Sequence, residues 1–433
     1  MKLLKTTDPA AQQTLAALER RGGASLDTVL PTVSAIIAEV RKHGDQALRN
    51  FAEQFDRLTP GAPIWVSPEE TAQAWDQLDP TLQAALQTAA DQIRNFALRQ
   101  LPESWYSEPI EGLMTGQLVR PITSVGCYVP GGRHPLPSTM LMTVIPAQVA
   151  GVPRIAVVSP NPALETLATA HLLGITEFYS IGGAHSIAAL AYGTPSIPRV
   201  AKIVGPGNLY VTAAKRAVAF DCSIDMLAGP TEIVVTSDLG SPAAISTDLI
   251  AQAEHDPNAL AILITGNEEL ARQVQSETTQ RAKHNPVAQQ ALTANGYIFL
   301  ASTPEEAQAI TNRLAPEHLT VDTPADLHWV QNAGSVFIGP HSPQPMGDYI
   351  SGPNHTLPTG GLAQVRGGLS VNDFVKLITV QQYTPAALAE LGPQAIRLAE
   401  AEGLTGHAQA IQQRLSQEHS PAPSKKPANL LTR

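Results

Sequence analysis

Residues 226–257 read MLAGPTEIVVTSDLGSPAAISTDLIAQAEHDP, which has the texture of a loop, a short strand, a second loop and a helix. The run EIVVT at 232–236 is apolar and rich in β-branched residues, so it predicts a buried strand. Pro242 favours the start of a helix, because proline suits the first helical turn. We expect this helix to span 241–255 and to stop before Pro257.

The same alternation of strand and helix continues on both sides of this segment. Short apolar runs predict further strands at 154–159, 178–181, 259–265, 297–301 and 335–338. Amphipathic or alanine-rich runs predict helices at 80–98, 164–173, 186–192, 268–284 and 304–314. Such alternation indicates parallel sheets covered by helices. The predicted fold class is α/β, with two Rossmann-like parallel layers, an N-terminal helical segment and a small C-terminal helical tail domain.

Changes in composition along the chain predict five regions. Residues 1–115 form a mainly helical segment that serves as scaffold and dimer contact. Residues 116–230 and 231–380 form the two α/β domains, and 381–415 form a helical tail that contributes to the partner subunit's site. Residues 416–433 are rich in proline, serine and lysine without periodicity, which predicts a disordered tail.

Bulk composition excludes several functional classes. The chain has 433 residues and a net charge of −10, which argues against nucleic acid as a partner, since phosphate binding needs clustered basic residues. No uninterrupted apolar run reaches the length of a membrane span, and the N-terminus lacks the apolar core of a signal peptide. We therefore expect a cytoplasmic protein without a membrane partner. The two cysteines, Cys127 and Cys222, do not form a disulfide framework.

Three glycine clusters follow predicted strands: Gly131-Gly132, Gly182-Gly183 and the run GPGN at 205–208. Ligands in open α/β sheets bind outside the carboxyl ends of the strands, where such turns lie. The sequence has neither of the common phosphate-binding glycine fingerprints. A nucleotide can still lie against glycine turns and helix N-termini, although each cluster alone is better explained as a tight turn than as a cofactor site.

Polar residues that can bind metal or move protons collect in a few short segments. Gln252 and His255 are three residues apart on the predicted helix, so they share a face that suits a metal or a polar ligand. Asp348 would add a carboxylate oxygen to a nitrogen and oxygen set suited to zinc. Glu317 and His318 pair two groups that transfer protons near neutral pH. Each also has an ordinary explanation, as a solvated helix face or a cap.

Longer motifs are similar to those of one enzyme family. The motifs run in family order from about residue 119 to residue 407, and are VGCYVPGG, PSTMLMTVIPAQVAGV, GPGNLYVTAAK, AGPTEIVV followed by DLIAQAEHDP, APEHL, GDYISGPNHTLPT, LSVNDFVK and EGLTGH. Together they resemble the histidinol dehydrogenases. The resemblance implies an oxidation of L-histidinol to L-histidine through L-histidinaldehyde, with two NAD reduced in each turnover, in histidine biosynthesis.

The resemblance also implies roles for individual residues. It implies one zinc per subunit, with these ligands: Gln252, His255, Asp348 and His407. In the family the last ligand comes from the partner subunit, which implies a homodimer with shared active sites. Glu317 and His318 match the family's acid–base pair. Substrate contacts are implied for Thr231, Glu402, His318 and the four zinc ligands, whereas His355 lies in a matching motif without an assigned role.

For NAD, the resemblance points to Tyr128, His185 and Asn208 on the three glycine-bearing turns. Two positions depart from the family pattern. The family commonly has glutamine where His185 stands, so the cofactor contact there differs in shape. It commonly has serine where Thr231 stands, and threonine keeps the hydroxyl group.

Three alternative functions remain open from the residues alone. A family member acting on another amino alcohol would keep the same zinc ligands. A zinc hydrolase could use the same donor set with Glu317 as its base, and it would need no NAD. A metal-stabilised binding protein without catalysis would have no need of Glu317 or His318.

Overall fold

The structure is a computed structural model that describes residues 1–22, 26–131 and 135–416. The predicted disordered tail, 416–433, lies outside the described residues except for Ser416, and Gly132 of the first glycine cluster lies outside them as well. The strands of the described chain are β1 (Lys2–Lys5), β2 (Trp65–Val66), β3 (Trp105–Ile110), β4 (Leu113–Pro121), β5 (Val125–Tyr128), β6 (Ile155–Val158), β7 (Glu177–Tyr179), β8 (Lys202–Val204), β9 (Ser223–Ile224), β10 (Glu232–Thr236), β11 (Leu260–Thr265), β12 (Gly296–Leu300), β13 (His318–Val321), β14 (Ser335–Ile338) and β15 (Val375–Tyr383).

Helices alternate with these strands over most of the chain. They are α1 (Pro9–Glu19), α2 (Leu26–His43), α3 (Asp45–Phe55), α4 (Pro68–Gln77), α5 (Pro80–Gln100), α6 (Pro137–Ala150), α7 (Leu164–Leu172), α8 (Gly183–Tyr192), α9 (Leu209–Val218), α10 (Pro242–Ala253), α11 (Glu268–Arg281), α12 (Pro286–Asn295), α13 (Pro304–Leu314), α14 (Pro345–Tyr349), α15 (Pro385–Ala401) and α16 (Thr405–Leu415). Short 3₁₀ segments occur at Ala282–His284, Pro324–His328, Leu362–Gln364 and Val371–Phe374.

One parallel sheet contains the segment that opened the sequence analysis. Its described strands run in the order β1-β12-β11-β10-β13-β14, and every neighbouring pair is parallel. Strand β10 is central, with Ile233 and Val235 in one apolar cluster and Val234 in the cluster on the opposite face. Because both faces are covered, the strand is apolar at consecutive positions rather than alternating. We call it the first sheet. Most of its strands come from the second α/β layer predicted from the sequence, residues 231–380.

The second sheet has the described order β2-β7-β6-β5-β8-β9. Its strands are parallel except for β2, which pairs antiparallel with β7 at the edge. Helices α2, α8 and α9 supply much of its apolar cluster, which includes Ile37, Ile187 and Val211. The two sheets confirm the predicted class of two parallel α/β layers.

The N-terminal segment contains strands that its helical periodicity did not indicate. Strand β1 extends the first sheet, β2 extends the second, and α1 packs Leu15 into the core of the first sheet. A short edge strand needs few residues, so its signal is lost among the longer helices around it. Within the described part of the chain, no helix combines the length and apolar character needed to cross a bilayer.

The chain divides into two compact units. The first is Met1–Gln100 with Ile122–Phe374, and it contains both parallel sheets. The second is Leu101–Pro121 with the described part of Val375–Arg433, and it contains the antiparallel sheet β15-β4-β3 and helices α15 and α16. The predicted helical tail therefore shares a unit with the pairing of β4 and β15, two strands that are distant in sequence. The domain boundaries and their functions proposed from the sequence stay predictions.

Candidate active site

Glu317 and His318 lie at the amino edge of the first sheet. Helix α13 ends at Leu314, and Ala315 follows in the left-handed region with φ 44°. This tight turn leads the chain directly into β13, whose first residue, His318, is in register with Ile233 of β10. Glu317 and Glu232 each lie one residue before this pair, so the register places them beside each other. Glu232 is the first residue of β10. Residues other than glycine rarely adopt this left-handed conformation, and those that do are often close to functional groups.

The carboxylate of Glu317 is buried and receives two hydrogen bonds on one oxygen. Thr231 donates its hydroxyl to Oε2 at 2.6 Å, and the backbone N–H of Glu232 donates to the same atom at 2.8 Å. Burial raises the pKa of Glu317 well above its ordinary value, against the opposing effect of these two hydrogen bonds. A carboxyl group with a raised pKa suits proton transfer near neutral pH.

His318 is held in one tautomer by the backbone. Its Nδ1 lies 3.0 Å from the carbonyl oxygen of Glu232, which can only accept, so Nδ1 carries the proton and donates it. In the neutral ring, Nε2 is then the free base. Burial lowers the pKa of His318, partly offset by the charge of Asp348. Nε2 is 3.8 Å from Oδ1 of Asp348, beyond hydrogen-bond distance.

A cavity of about 270 Å³ opens beside His318. Its lining includes His318, Asp348 and His355. Asp348 is oriented by Gln344, whose Nε2 donates to Oδ2 at 2.8 Å. The ring of His355 donates from Nδ1 to the backbone oxygen of Asp348 at 2.8 Å. The structure thus brings together three residues of the resemblance and adds Gln344, for which the sequence held no motif.

The residues expected to bind NAD line another cavity, of about 780 Å³. Tyr128 ends β5, His185 lies in the first turn of α8, and Asn208 caps α9, so all three lie at the carboxyl edge of the second sheet. Gly183 donates its backbone N–H to the hydroxyl of Tyr128 at 3.4 Å. The turn is tight as well, because a Cβ at Gly205 would lie 2.2 Å from the carbonyl oxygen of Tyr128.

Comparison with known proteins shows the family of this chain. The family model described as histidinol dehydrogenase matches residues 19–415. The chain belongs to the histidinol dehydrogenase family. Its relatives include the histidinol dehydrogenase of Syntrophotalea carbinolica, 43% identical over 427 residues, covering 96% of this chain and 99% of that one. That of Methanothermobacter thermautotrophicus is 44% identical over 411 residues, covering 92% and 96%.

A solved structure supports the same membership. The crystal structure of histidinol dehydrogenase from Elizabethkingia anophelis has a TM-score of 0.90 and 34% sequence identity, and covers 96% of this chain and 98% of that chain. The resemblance drawn from the motifs is therefore confirmed, and the chain belongs to a family of oxidoreductases of histidine biosynthesis.

The candidate zinc ligands of this family member are distributed over several elements. Helix α10 ends at Ala253, two residues earlier than predicted, so Gln252 lies in its last turn and His255 lies just beyond its end. The expectation that both share a helix face was wrong, because the chain leaves the helix at Glu254 to enter β11. The described residues contain no group of three or more His, Cys, Asp or Glu side chains that could hold a metal ion.

The donor atoms that are present nevertheless suit a metal. Gln252 is 1% exposed, and its amide nitrogen donates to the hydroxyl of Thr231. Its amide oxygen is buried without a hydrogen-bond partner, which leaves an acceptor available for a ligand. An amide oxygen, the imidazole of His255 and the carboxylate of Asp348 form the mixed nitrogen and oxygen set that zinc accepts.

Glu402 and His407 belong to the second compact unit. Glu402 follows the end of α15 and His407 lies in the first turn of α16, and both are exposed in this chain. Their expected roles in the site stay predictions.

Asp56 is a residue that the sequence analysis missed, and it lines the cavity that Tyr128, His185 and Asn208 share. Its Oδ2 lies 2.7 Å from Nε2 of His185 and accepts the backbone N–H of Gly182 at 2.8 Å. Asp56 follows α3, 129 residues before His185 in the sequence, and it lies in no motif. The pairing with an aspartate accounts for how a buried histidine fits where the family commonly has glutamine, since a buried polar group needs a partner.

Proposed function

We propose that this chain oxidises L-histidinol to L-histidine through L-histidinaldehyde, reducing two NAD in each turnover. The observation that carries the proposal is the buried pair Glu317 and His318, both oriented by hydrogen bonds to the backbone of Glu232. A histidine with a free Nε2 beside a carboxyl group with a raised pKa supplies a base for an alcohol and a second group for water.

In the first oxidation, His318 acts as the base. Its Nε2 is unprotonated because Nδ1 donates to Glu232, so it takes the proton of the substrate hydroxyl as the carbinol carbon loses a hydride. The lowered pKa of His318 keeps the ring neutral before the reaction. The proton then leaves to solvent, and the ring is ready for the second oxidation.

The second oxidation needs water, because an aldehyde must be hydrated before it can lose another hydride. Glu317 removes a proton from that water as the water oxygen bonds to the aldehyde carbon. The hydrate then loses its hydroxyl proton to His318 as the second hydride departs. One alcohol, two NAD and one water thus give one carboxylate, two NADH and three protons. Thr231 and Glu232 hold Glu317 in place during both steps.

Zinc and NAD complete the proposed site. When bound, zinc supplies a Lewis acid that holds the imidazole and amine of the substrate, and NAD supplies the hydride acceptor. The residues that would hold zinc are Gln252, His255, Asp348 and His407. Those that would hold NAD are Tyr128, His185 and Asn208, and their common cavity supports the assignment. Thr231 and Glu402 would contact substrate.

The proposed assembly is a cytoplasmic homodimer with shared active sites. Gln252, His255 and Asp348 lie in one compact unit, and His407 lies exposed in the other. A second chain that delivers His407 would add an imidazole nitrogen to these three donors, a ligand type that zinc accepts.

The test is a count of NADH formed for each histidine formed from L-histidinol and NAD. We expect two NADH for each histidine, no activity after chelation, and recovery when zinc is returned. A folded, zinc-loaded protein that forms no NADH from L-histidinol but oxidises another amino alcohol would contradict the substrate. Hydrolysis without any need for NAD would contradict the reaction class.

A further inference from the structure

Arg21 is a half-buried arginine that lies in none of the motifs. It follows α1, and its side chain is 14% exposed. Its Nε and Nη2 donate to the two carboxylate oxygens of Glu232, both at 2.6 Å. Nη2 also donates to the backbone oxygen of Leu314 at 2.6 Å, and Nη1 to that of Leu18 at 2.8 Å. The two-pronged pairing fixes the orientation as well as the distance of Glu232.

Glu232 connects this arginine to the acid–base pair. Its backbone N–H donates to Glu317, and its backbone oxygen accepts from Nδ1 of His318. Its side chain is 4% exposed, so without Arg21 its carboxylate would be buried beside Glu317 without a balancing charge. A shift of this one residue would therefore displace one hydrogen bond to each of the two reacting groups.

The chain around Arg21 is fitted closely to the same region. Gly22 has φ 130°, and a Cβ there would lie 2.7 Å from the carbonyl oxygen of Gly360. Gly360 in turn donates its backbone N–H to Oε1 of Glu232 at 2.9 Å. Leu314, the second carbonyl held by Arg21, ends α13 immediately before the turn into Glu317. Arg21 therefore binds Glu232, which hydrogen-bonds both members of the acid–base pair, and Leu314, which lies three residues before Glu317 in the chain.

We propose that Arg21 is a positioning residue for the reaction, acting through Glu232 to set the geometry of Glu317 and His318. The inference rests on the proposed function, since it takes those two residues as the acid–base pair. Supporting residues of this kind change the rate of chemistry by about 10- to 100-fold, because small misplacements of reacting groups are costly. Arg21 touches neither the cofactor cavity nor the candidate zinc ligands in the contacts described above, so it should not set their affinities.

The experiment compares Arg21→Met with the control Arg20→Met, a neighbouring exposed arginine. We expect Arg21→Met to lower kcat by about 10- to 100-fold, with KM for L-histidinol and NAD changed by less than about threefold and bound zinc unchanged. Arg20→Met should match the wild type. Arg21→Lys keeps the positive charge but lacks the two-pronged guanidinium, so its loss of kcat should be smaller than that of Arg21→Met. It also provides a folded variant if Arg21→Met is unstable.

A double-variant cycle separates positioning from general stability. Glu232→Gln should lower kcat as Arg21→Met does, and the two changes together should cost little more than either one, because both break the same link. Two results would overturn the inference while leaving the proposed function intact. One is that the losses of the two changes add. The other is that Arg21→Lys and Arg21→Met both fold and keep the wild-type kcat. A wild-type chain that forms no NADH from L-histidinol would overturn both.

Discussion

Replacing Lys215 with methionine should destabilise the protein, because it would leave a buried carboxylate without its cation. Lys215 and Asp225 are 3% and 0% exposed at their side chains and form an ion pair beneath the turn at 205–208. Nζ of Lys215 also donates to the backbone oxygen of Gly205 at 3.0 Å. Asp225 accepts the backbone N–H of Gly205 at 2.8 Å and that of Met226 at 2.6 Å.

The size of the effect follows from this burial. Removing one partner of a buried, hydrogen-bonded ion pair costs about 3 to 5 kcal/mol, because the remaining charge has no solvent to stabilise it. For a chain of 433 residues, each kcal/mol corresponds to about 1 °C in Tm. We therefore expect Lys215→Met to lower Tm by about 3 to 5 °C.

The assay is thermal and urea unfolding followed by circular dichroism. The matched control is Arg216→Met on the same helix, whose ion pair with Asp27 has side chains 46% and 82% exposed. Exposed pairs contribute at most about 1 kcal/mol, so that variant should stay close to the wild type. Adding Asp225→Asn to Lys215→Met removes the unpaired charge, and the double variant should recover about 1 kcal/mol or more.

The reasoning would be refuted if the free energy of unfolding of Lys215→Met lay within about 1 kcal/mol of the wild-type value. It would also be refuted if the double variant were less stable than Lys215→Met, because the cost would then come from lost packing and not from an unpaired charge.

Three further predictions concern the site and its surroundings. His185→Gln should change KM for NAD by about fivefold, the worth of one hydrogen bond, with bound zinc unchanged; a loss of zinc would contradict the assignment. Glu317→Gln should lower the rate of L-histidinaldehyde oxidation by about 100-fold or more, and an unchanged rate would exclude Glu317 as the base. Burial raises the pKa of Asp248 to about 6, above its ordinary 3.8, so the contribution of this carboxyl group to the stability of the folded state should fall as the pH rises from about 4 to about 6. Asp248→Asn should then be more stable by about 1 kcal/mol at pH 7, after allowance for solvent screening, and equal to the wild type at about pH 4; a difference of the same size at both pH values would count against the shift.

Local patterns were sufficient to predict most of the two parallel layers. The strand 232–236, the strand 335–338 and the helix 304–314 have the predicted bounds. A strand inside a covered parallel sheet leaves a short apolar run in the sequence, and a helix buried on one face leaves a helical period. The end of α10 was predicted two residues late, since Glu254 and His255 carry no stop signal of their own. Motifs also led to Glu317 and His318, which lie side by side, and to three residues that line one cavity, and the roles of all five stay predictions.

Tertiary structure alone decided which distant residues support the site. The pairing of β4 with β15 joins parts of the chain whose local patterns do not refer to each other. Asp56 meets His185 across 129 residues, and Arg21 meets Glu232 across 211. A side chain leaves a local signal when it follows the period of its own helix or strand. A partner brought in by chain folding leaves none, because its position depends on how complete layers pack and not on its neighbours in sequence.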